Sequence, residues 1–204
     1  MKPLIIDLET TGLPPKNANY ETDFMQFPYI VKLAYKVGGD ETKEFIINQE
    51  GRNIPPETIE IHGVTDEMAA ASPHKIVDVL RLLLSEAADT TLTVGHSIYF
   101  DSSTIKANAL REIAEGRTDE NLYELLKVIL HKDRRIDTMK ASTKLCNLPG
   151  PRGLKYPKLG ELHEKLFPGE KIELHNGKGC VDATARCFDK LIELGVITIG
   201  SKEA

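Results

Sequence analysis

Short apolar runs and helically spaced apolar residues alternate along the chain and predict strands followed by helices. The run at residues 3–9 predicts a buried strand, because it is apolar and the segment TTGLPP, with one Gly and two Pro, stops it. Residues 29–37 alternate in polarity, GGD follows as a hairpin turn, and residues 41–49 return antiparallel. Residues 91–96 predict a further buried strand, so the chain opens with a hairpin and continues with a central strand.

Helical spacing of apolar residues predicts most of the remaining elements. Ser72 followed by Pro73 predicts the start of one helix, whose apolar face includes Val79 and Leu83. The predicted helices cover residues 55–63, 72–88, 99–113, the second half of 134–145, 158–167 and 180–195. Strands that alternate with helices after an antiparallel hairpin predict an α/β fold with a mixed sheet flanked by helices on both faces.

Length and composition predict one ordinary globular domain in a reducing compartment. The chain has 204 residues, 41% of them hydrophobic, which fits a single domain over 1–204 with residues 196–204 as a loose C-terminal tail. The three cysteines form no CxxC pair, which argues against a disulfide framework. Two early carboxylates exclude a signal peptide, and no apolar run approaches the roughly 20 residues of a membrane span. We therefore expect a soluble, cytoplasmic protein with no membrane partner.

Acidic residues at the ends of two predicted strands are the candidate chemistry. Asp7 and Glu9 lie two residues apart on one strand and share a face, where they repel each other unless a cation or a proton lies between them. Asp101 follows another strand, at the end where α/β sheets usually bind ligands. His175 precedes the last helix. Three acids and a histidine suit hard divalent cations held by oxygen, with the histidine as general base.

Several segments together resemble one enzyme family. DLETTGL, GHSIYFD and HNGKGCVDATA are similar to the three motifs of the DEDDh 3′–5′ exonucleases, and IHGVTDEM, IDTM and KYPKLGELHEKLF are similar to the family's connecting segments. This family, which includes proofreading subunits, is a branch of the ribonuclease-H-like superfold. The resemblance runs from Leu4 to about Leu194 and implies a metal-dependent exonuclease that releases nucleoside 5′-monophosphates from single-stranded nucleic-acid ends.

The resemblance also implies a role for each matching position. Asp7 would bridge two Mg²⁺ or Mn²⁺ ions, Glu9 would hold the first, and Asp101 would support the second. His175 would deprotonate the attacking water. The residues expected to meet the 3′ end of the substrate are Thr10, Thr11, Leu13 and Ser97, the last standing where the family more often has asparagine.

The family's fourth carboxylate should lie five residues after His175, but Cys180 occupies that position and Asp182 is the nearest carboxylate. Counted along the predicted helix from Cys180, one face carries Ala183, Thr184, Cys187, Phe188 and Leu191 and faces inward. Counted from Asp182, it carries Ala185, Arg186, Asp189, Lys190 and Glu193 and faces solvent. Periodicity thus favours Cys180 at the ligand position and a weakened site, whereas a distorted first turn would make Asp182 the ligand.

Two classes of function follow from these residues. The first is a 3′–5′ exonuclease acting on single-stranded DNA or RNA 3′ ends, with a polymerase or another replication or repair protein as a further candidate partner. The second is a nucleic-acid-binding module on the same fold whose chemistry is impaired through Cys180. The two differ in metal binding, since the enzyme requires both ions and the binding module does not.

Overall fold

A five-stranded mixed sheet forms the centre of the protein in a computed structural model, which describes residues 2–174 and 176–199. Its strands are β1 (Pro3–Thr10), β2 (Ile30–Val37), β3 (Lys43–Ile46), β4 (Leu92–Gly95) and β5 (Arg135–Asp137). They are ordered β3-β2-β1-β4-β5. The β1–β2 and β2–β3 pairs are antiparallel, whereas β4 is parallel to both β1 and β5. A small hairpin, β6 (Pro149–Gly150) with β7 (Gly153–Leu154), lies apart from this sheet.

Helices cover both faces of the sheet. In chain order the helices of the described residues are α1 (Pro56–His62), α2 (Asp66–Ala71), α3 (Ile76–Glu86), α4 (Ile98–Ala114), α5 (Glu120–Ile129), α6 (Thr138–Ala141), α7 (Thr143–Cys146), α8 (Leu159–Leu166) and α9 (Gly177–Glu193). Alternation along β1 divides the core: Leu4, Ile6 and Leu8 pack with α3, α4 and α5, whereas Ile5 packs with α8 and α9. The predicted α/β fold with a mixed sheet and helices on both faces is confirmed.

Two helices were missed by the sequence pattern, and one was placed too early. α3 begins after Lys75, not at Ser72, because Ser72 ends α2 and its hydroxyl donates to the carbonyl of Ile46. The missed helices are α2, which is only six residues long, and α5, whose N-cap Asp119 accepts the amide of Asn121.

The last helix begins three residues earlier than predicted. α9 starts at Gly177, so the glycine-rich segment forms its first turn instead of a loop. A Cβ at Gly177 would lie 2.9 Å from Glu44 Oε2, and one at Gly179 would lie 2.3 Å from the carbonyl oxygen of Glu173. Gly177 therefore lets the start of α9 approach the sheet closely, and Gly179 lets the segment that precedes α9 pass close to its first turn.

The long connection from β1 to β2 is anchored on α4. The Arg111 side chain is fully buried, and its guanidinium donates to the carbonyls of Phe24 (2.9 Å) and Phe27 (2.6 Å). Asn108 adds a bond from its amide to the carbonyl of Pro28 (3.0 Å). The connection is thus held beside the second half of α4.

The predicted loose tail lies only partly within the described residues. The amides of Val196 and Ile197 both donate to the carbonyl of Leu191, and Ile197 is buried. Positions 200–204 lie outside the described residues. In the part of the chain that the structure describes, no helix combines the length and the apolar character needed to cross a membrane.

Candidate active site

The C-terminal half of β1 presents two carboxylates on the sheet face that α9 covers. Asp7 and Glu9 share this face with Ile5, because side chains alternate along a strand. The register of β1 against β2 shifts between Glu9 and Thr10, so a bulge lies directly at the site. Such bulges redirect side chains near the ends of strands.

A third carboxylate reaches the same region from the first turn of α4. Asp101 is 4% exposed, although it is charged in its ordinary form. Burial and then the neighbouring Asp7 raise the pKa of Asp101 well above its usual range, with smaller contributions from Asp137 and Glu9. Asp7 and Glu9, the other two acids that the sequence singled out, are therefore close enough to Asp101 to act on its charge.

The pKa of Asp7 is raised in the same way. Burial and, to a smaller extent, the adjacent Glu9 together raise its pKa to about 8, although the ammonium of Lys32 acts in the opposite direction. A carboxyl that holds its proton up to neutral pH is one whose negative charge lacks compensation. A bound metal ion would compensate the negative charge of Asp7.

Asp137 lies next to this group and was not among the predicted site residues. Its Oδ1 accepts the amides of Ser97, Met139 and Lys140 at 3.0–3.2 Å. Its Oδ2 is buried and has no hydrogen-bond partner among the described residues. An orphaned carboxylate oxygen beside Asp101 fits a cation or a cation-bound water, so the donor set suits a hard divalent ion on this side of the site.

The described residues form no preformed cage for such an ion. Within residues 2–174 and 176–199, no three histidine, cysteine or acidic side chains are grouped so that they could hold a metal ion as they stand. Mutual repulsion of uncompensated carboxylates is a physical reason for such groups to stand apart.

An ion pair between a buried lysine and an exposed glutamate borders the carboxylates. Lys32 is directly opposite Glu9 in the β1–β2 register and is 8% exposed. Its Nζ lies 3.4 Å from Glu44 Oε1, and Glu44 Oε2 accepts the amide of Lys178 (2.8 Å) in the first turn of α9. A fixed positive charge therefore faces the place where the first ion would be held.

Because Lys32 repels any cation bound by Asp7 and Glu9, Lys32→Met is expected to strengthen Mn²⁺ binding by roughly tenfold. Mn²⁺ titration followed by electron paramagnetic resonance measures the affinity without nucleic acid. Lys43→Met is the matched control, since Lys43 is on neighbouring β3 and pairs with Glu86 instead. Unchanged or weaker Mn²⁺ binding in a folded Lys32→Met protein would contradict this role.

The start of α9 separates Cys180 from Asp182. Cys180 is 8% exposed and packs in the same cluster as Ile5 and Ala34. The Asp182 carboxylate instead accepts the hydroxyl of Thr42 (2.5 Å) and pairs with Lys178 (3.1 Å) and Lys36 (3.6 Å). Hydrogen bonds from Thr42 and Lys178 lower the pKa of Asp182 although burial opposes them. Asp182 thus has its own cationic partners, and Cys180 lies on the inward face, as periodicity indicated.

Three histidines that could take part in the site are His175, His62 and His96. His175, the predicted general base, lies outside the described residues. His62 is buried at the end of α1, where its Nδ1 accepts the amide of Val64, and burial and Lys32 lower its pKa. His96 joins two segments: Nε2 donates to the carbonyl of Pro157 (2.9 Å) and Nδ1 lies 3.0 Å from the hydroxyl of Thr138.

The residues expected at the substrate end are on the turn after β1 and at the start of α4. Leu13 is 81% exposed, so it is free to contact a base. The hydroxyl of Thr10 donates to the carbonyl of Gly12, and the Thr11 amide donates to the carbonyl of Tyr29. A contact from the Thr11 amide to a terminal hydroxyl would require that bond to be exchanged. Ser97 has a positive φ of 83° and donates its amide to Asp137.

A mixed five-stranded sheet with carboxylates from β1 and α4 at one edge is the arrangement of an exonuclease-type domain. The model of the exonuclease family RNase_T matches residues 4–177. The chain therefore belongs to this exonuclease family, which confirms the DEDDh-type resemblance in the sequence. The family depends on divalent metal ions. No curated protein sequence gives a significant match to the chain.

Solved structures of exonucleases share the fold. Exonuclease I from E. coli in complex with a dA16 oligonucleotide aligns with 95% of this chain and 41% of its own, at 18% identity and a TM-score of 0.65. Exonuclease I from Methylocaldum szegediense aligns with 94% of this chain and 40% of its own, again at 18% identity and a TM-score of 0.65. Exonuclease X in complex with 5′ overhanging duplex DNA aligns with 95% of this chain and 93% of its own, at 21% identity and a TM-score of 0.54. The chain thus spans about two fifths of the exonuclease I chains and nearly all of exonuclease X.

Proposed function

We propose that the protein is a metal-dependent 3′–5′ exonuclease that releases nucleoside 5′-monophosphates from single-stranded DNA or RNA ends. The observation that carries this proposal is the pair of buried carboxyls Asp7 and Asp101, whose pKa values are both raised by burial, with the charge of Asp7 raising that of Asp101 further. Family membership adds the class of reaction. Among the similar structures, exonuclease I with dA16 is a complex with an oligonucleotide, which supports a single strand as substrate.

The chain's own residues divide the work of hydrolysis. Asp7, Glu9 and Asp101 would hold Mg²⁺ or Mn²⁺, and such ions supply positive charge to the attacking and leaving oxygens. His175 would accept a proton from the attacking water, whose oxygen bonds to the terminal phosphorus. The bond from phosphorus to the 3′ oxygen of the preceding nucleotide then breaks, and that oxygen takes up a proton. Leu13 would lie against the last base and hold the end in register.

Cys180 makes this a weakened form of the site. A thiol is soft and is not a ligand that Mg²⁺ prefers, whereas a carboxylate is. Lys32 adds a positive charge beside the same carboxylates. Both features lower the affinity for the first ion, so we expect slow cleavage with Mg²⁺ and partial recovery with Mn²⁺.

The same two features favour a second candidate, a nucleic-acid-binding module with impaired chemistry. Such a module would keep exposed Leu13 for the strand end while cleavage stays negligible with either ion. A partner such as a polymerase belongs equally to both candidates.

Polarity and chemistry can be tested together with a single-stranded oligonucleotide labelled at either end. With Mn²⁺, a 5′-labelled strand is expected to shorten into a ladder, whereas a 3′-labelled strand should release its label as a mononucleotide in the first step. The Asp7→Ala protein provides the background rate of any contaminating nuclease. A ladder from the 3′-labelled strand would show the opposite polarity. If neither Mg²⁺ nor Mn²⁺ supports cleavage, the proposed enzyme is excluded and the nucleic-acid-binding module is the remaining candidate.

A further inference from the structure

Two cations beside α4 act on each other electrostatically and form no ion pair with an acid in the part of the chain that the structure describes. Lys106 on α4 is 5% exposed, and its Nζ lies 4.0 Å from the centre of the Tyr20 ring. Arg135, at the start of β5, donates from Nη1 to the hydroxyl of Ser102 (2.6 Å), and its Cζ lies 5.8 Å from the centre of the Tyr99 ring. We call Lys106, Arg135, Tyr20 and Tyr99 the Lys106–Arg135 cluster.

The cluster lacks the carboxylate that usually accompanies a buried cation. Across residues 2–174 and 176–199, no carboxylate oxygen lies within the 4.0 Å of an ion pair from either Lys106 or Arg135. The charge of Glu21 acts on Lys106, but its Oε1 accepts instead from the hydroxyls of Tyr123 (3.1 Å) and Tyr20 (3.4 Å). Buried charges are normally paired, so this cluster has an unmet requirement for an anion.

The electrostatics of Lys106 agree with this geometry. Burial and, to a smaller extent, the guanidinium of Arg135 together lower the pKa of Lys106 to about 8. Glu21 raises the pKa of Lys106 and Lys127 lowers it, so the neighbouring charges do not return this pKa to its usual value. Positive charge is therefore concentrated here, in a chain whose formal net charge is −5.

The position of the cluster relates it to the carboxylates. Tyr99 and Ser102 flank Asp101 in sequence, and Lys106 lies five residues beyond Asp101, a rise of about 7.5 Å along a helix. Each strand of a duplex carries one charge per about 3.4 Å of axis, and an unpaired strand can extend further, so a strand that ends at Asp101 covers this rise within a few nucleotides. Tyr99 is 56% exposed and offers a ring on which a base can stack.

We propose that the Lys106–Arg135 cluster binds a backbone phosphate of the single-stranded substrate a few nucleotides from its 3′ end, with Tyr99 stacking on the adjacent base. This inference rests on the proposed function for the identity of the strand. It adds a binding site on the α4 side of the sheet, away from the substrate residues on the turn after β1.

Binding of a 5′-fluorescein oligothymidylate, followed by anisotropy with Ca²⁺ at several salt concentrations, tests the site. Lys106→Met and Arg135→Gln are each expected to weaken binding by roughly tenfold, as loss of a charge-assisted hydrogen bond does. Each should also reduce the slope of log K against log salt by about 0.7, the contribution of one phosphate contact in a single strand. A merely structural role would leave that slope unchanged.

Two further variants control for folding and for general charge. Lys106→Arg keeps the charge and should keep the slope, whereas Lys127→Met removes a nearby cation on α5 that already pairs with Glu124 and should change neither quantity. The thermal midpoint of every variant shows that it is folded.

The outcome separates this inference from the proposed function. Reduced slopes in Lys106→Met and Arg135→Gln support the cluster even if the protein does not cleave the strand. Unchanged slopes in folded variants overturn the cluster even if 3′–5′ cleavage proceeds. Equal loss of affinity for a mononucleotide would also overturn it, because a backbone phosphate upstream of the end requires a longer strand.

Discussion

Replacing Cys180 by aspartate is expected to raise the rate of 3′-end degradation at low Mg²⁺ by at least about tenfold. The position lies on the inward face of α9, in the same cluster as Ile5 and Ala34 and next to the strand that carries Asp7. A carboxylate there would add a hard oxygen ligand and a negative charge, and even outer ligands of metal sites typically change affinity about 10–100-fold. The rate is measured with a 5′-labelled strand over a series of Mg²⁺ concentrations.

Cys180→Ser is the matched control, because it replaces sulfur with oxygen and adds no charge. It should stay close to the unaltered protein. If Cys180→Asp is folded and its rate is unchanged or lower at every Mg²⁺ concentration, Cys180 is not at the position of the missing ligand.

Asp7→Asn is expected to abolish cleavage and, in the metal-free protein, to increase stability at pH 8. Asp7 titrates at about 8 in the folded protein against 3.8 in the unfolded chain, so its favourable contribution is complete below pH 3.8 and is lost as the pH rises through 8. One pKa unit corresponds to about 1.36 kcal/mol, and sharing of the proton with neighbouring acids reduces the total. We expect a gain on the order of 2–3 kcal/mol.

Urea unfolding with EDTA at pH 5 and pH 8 measures this effect. The difference between Asp7→Asn and the unaltered protein should be larger at pH 8, and adding Mn²⁺ should stabilise only the unaltered protein. Asp133→Asn, a change in an exposed acid away from the site, is the control. Equal stability of both proteins at pH 8, with or without Mn²⁺, would show that Asp7 is neither strained nor a metal ligand.

The fold was largely predictable from local patterns. β1, β2 and β4 are short and strongly apolar, and the turn at GGD leaves few alternatives to an antiparallel hairpin. α2 was missed because six residues are too few to establish a helical period. Ser72 was misplaced because a serine beside a proline is a good N-cap in sequence, whereas here its hydroxyl bonds to β3.

The site was predictable only where its residues are near one another in sequence. Asp7 and Glu9 share a face by strand periodicity alone, and Asp101 was found through its place after β4. Lys32 and Glu44 were missed because their positions depend on the register of three strands and on the approach of α9 to the sheet edge. Lys32 is one of two lysines in an otherwise apolar strand, and this was the one available indication.

Helical periodicity predicted which faces of α9 carry Cys180 and Asp182, but not where the helix begins. It placed Cys180 inward and Asp182 outward, and both positions agree with their contacts. It could not reveal that α9 begins at Gly177, since glycines at the start of a helix resemble a loop until the close contact with Glu44 is known.

The most direct test of a metal site weakened by Cys180 is the Mg²⁺ dependence of 3′–5′ degradation by the unaltered protein and by Asp182→Ala. The account predicts slow cleavage at micromolar Mg²⁺, a higher rate with Mn²⁺, and no loss of activity in Asp182→Ala. Full activity of the unaltered protein at micromolar Mg²⁺, together with its loss in Asp182→Ala, would show an intact site with a shifted ligand and contradict the account.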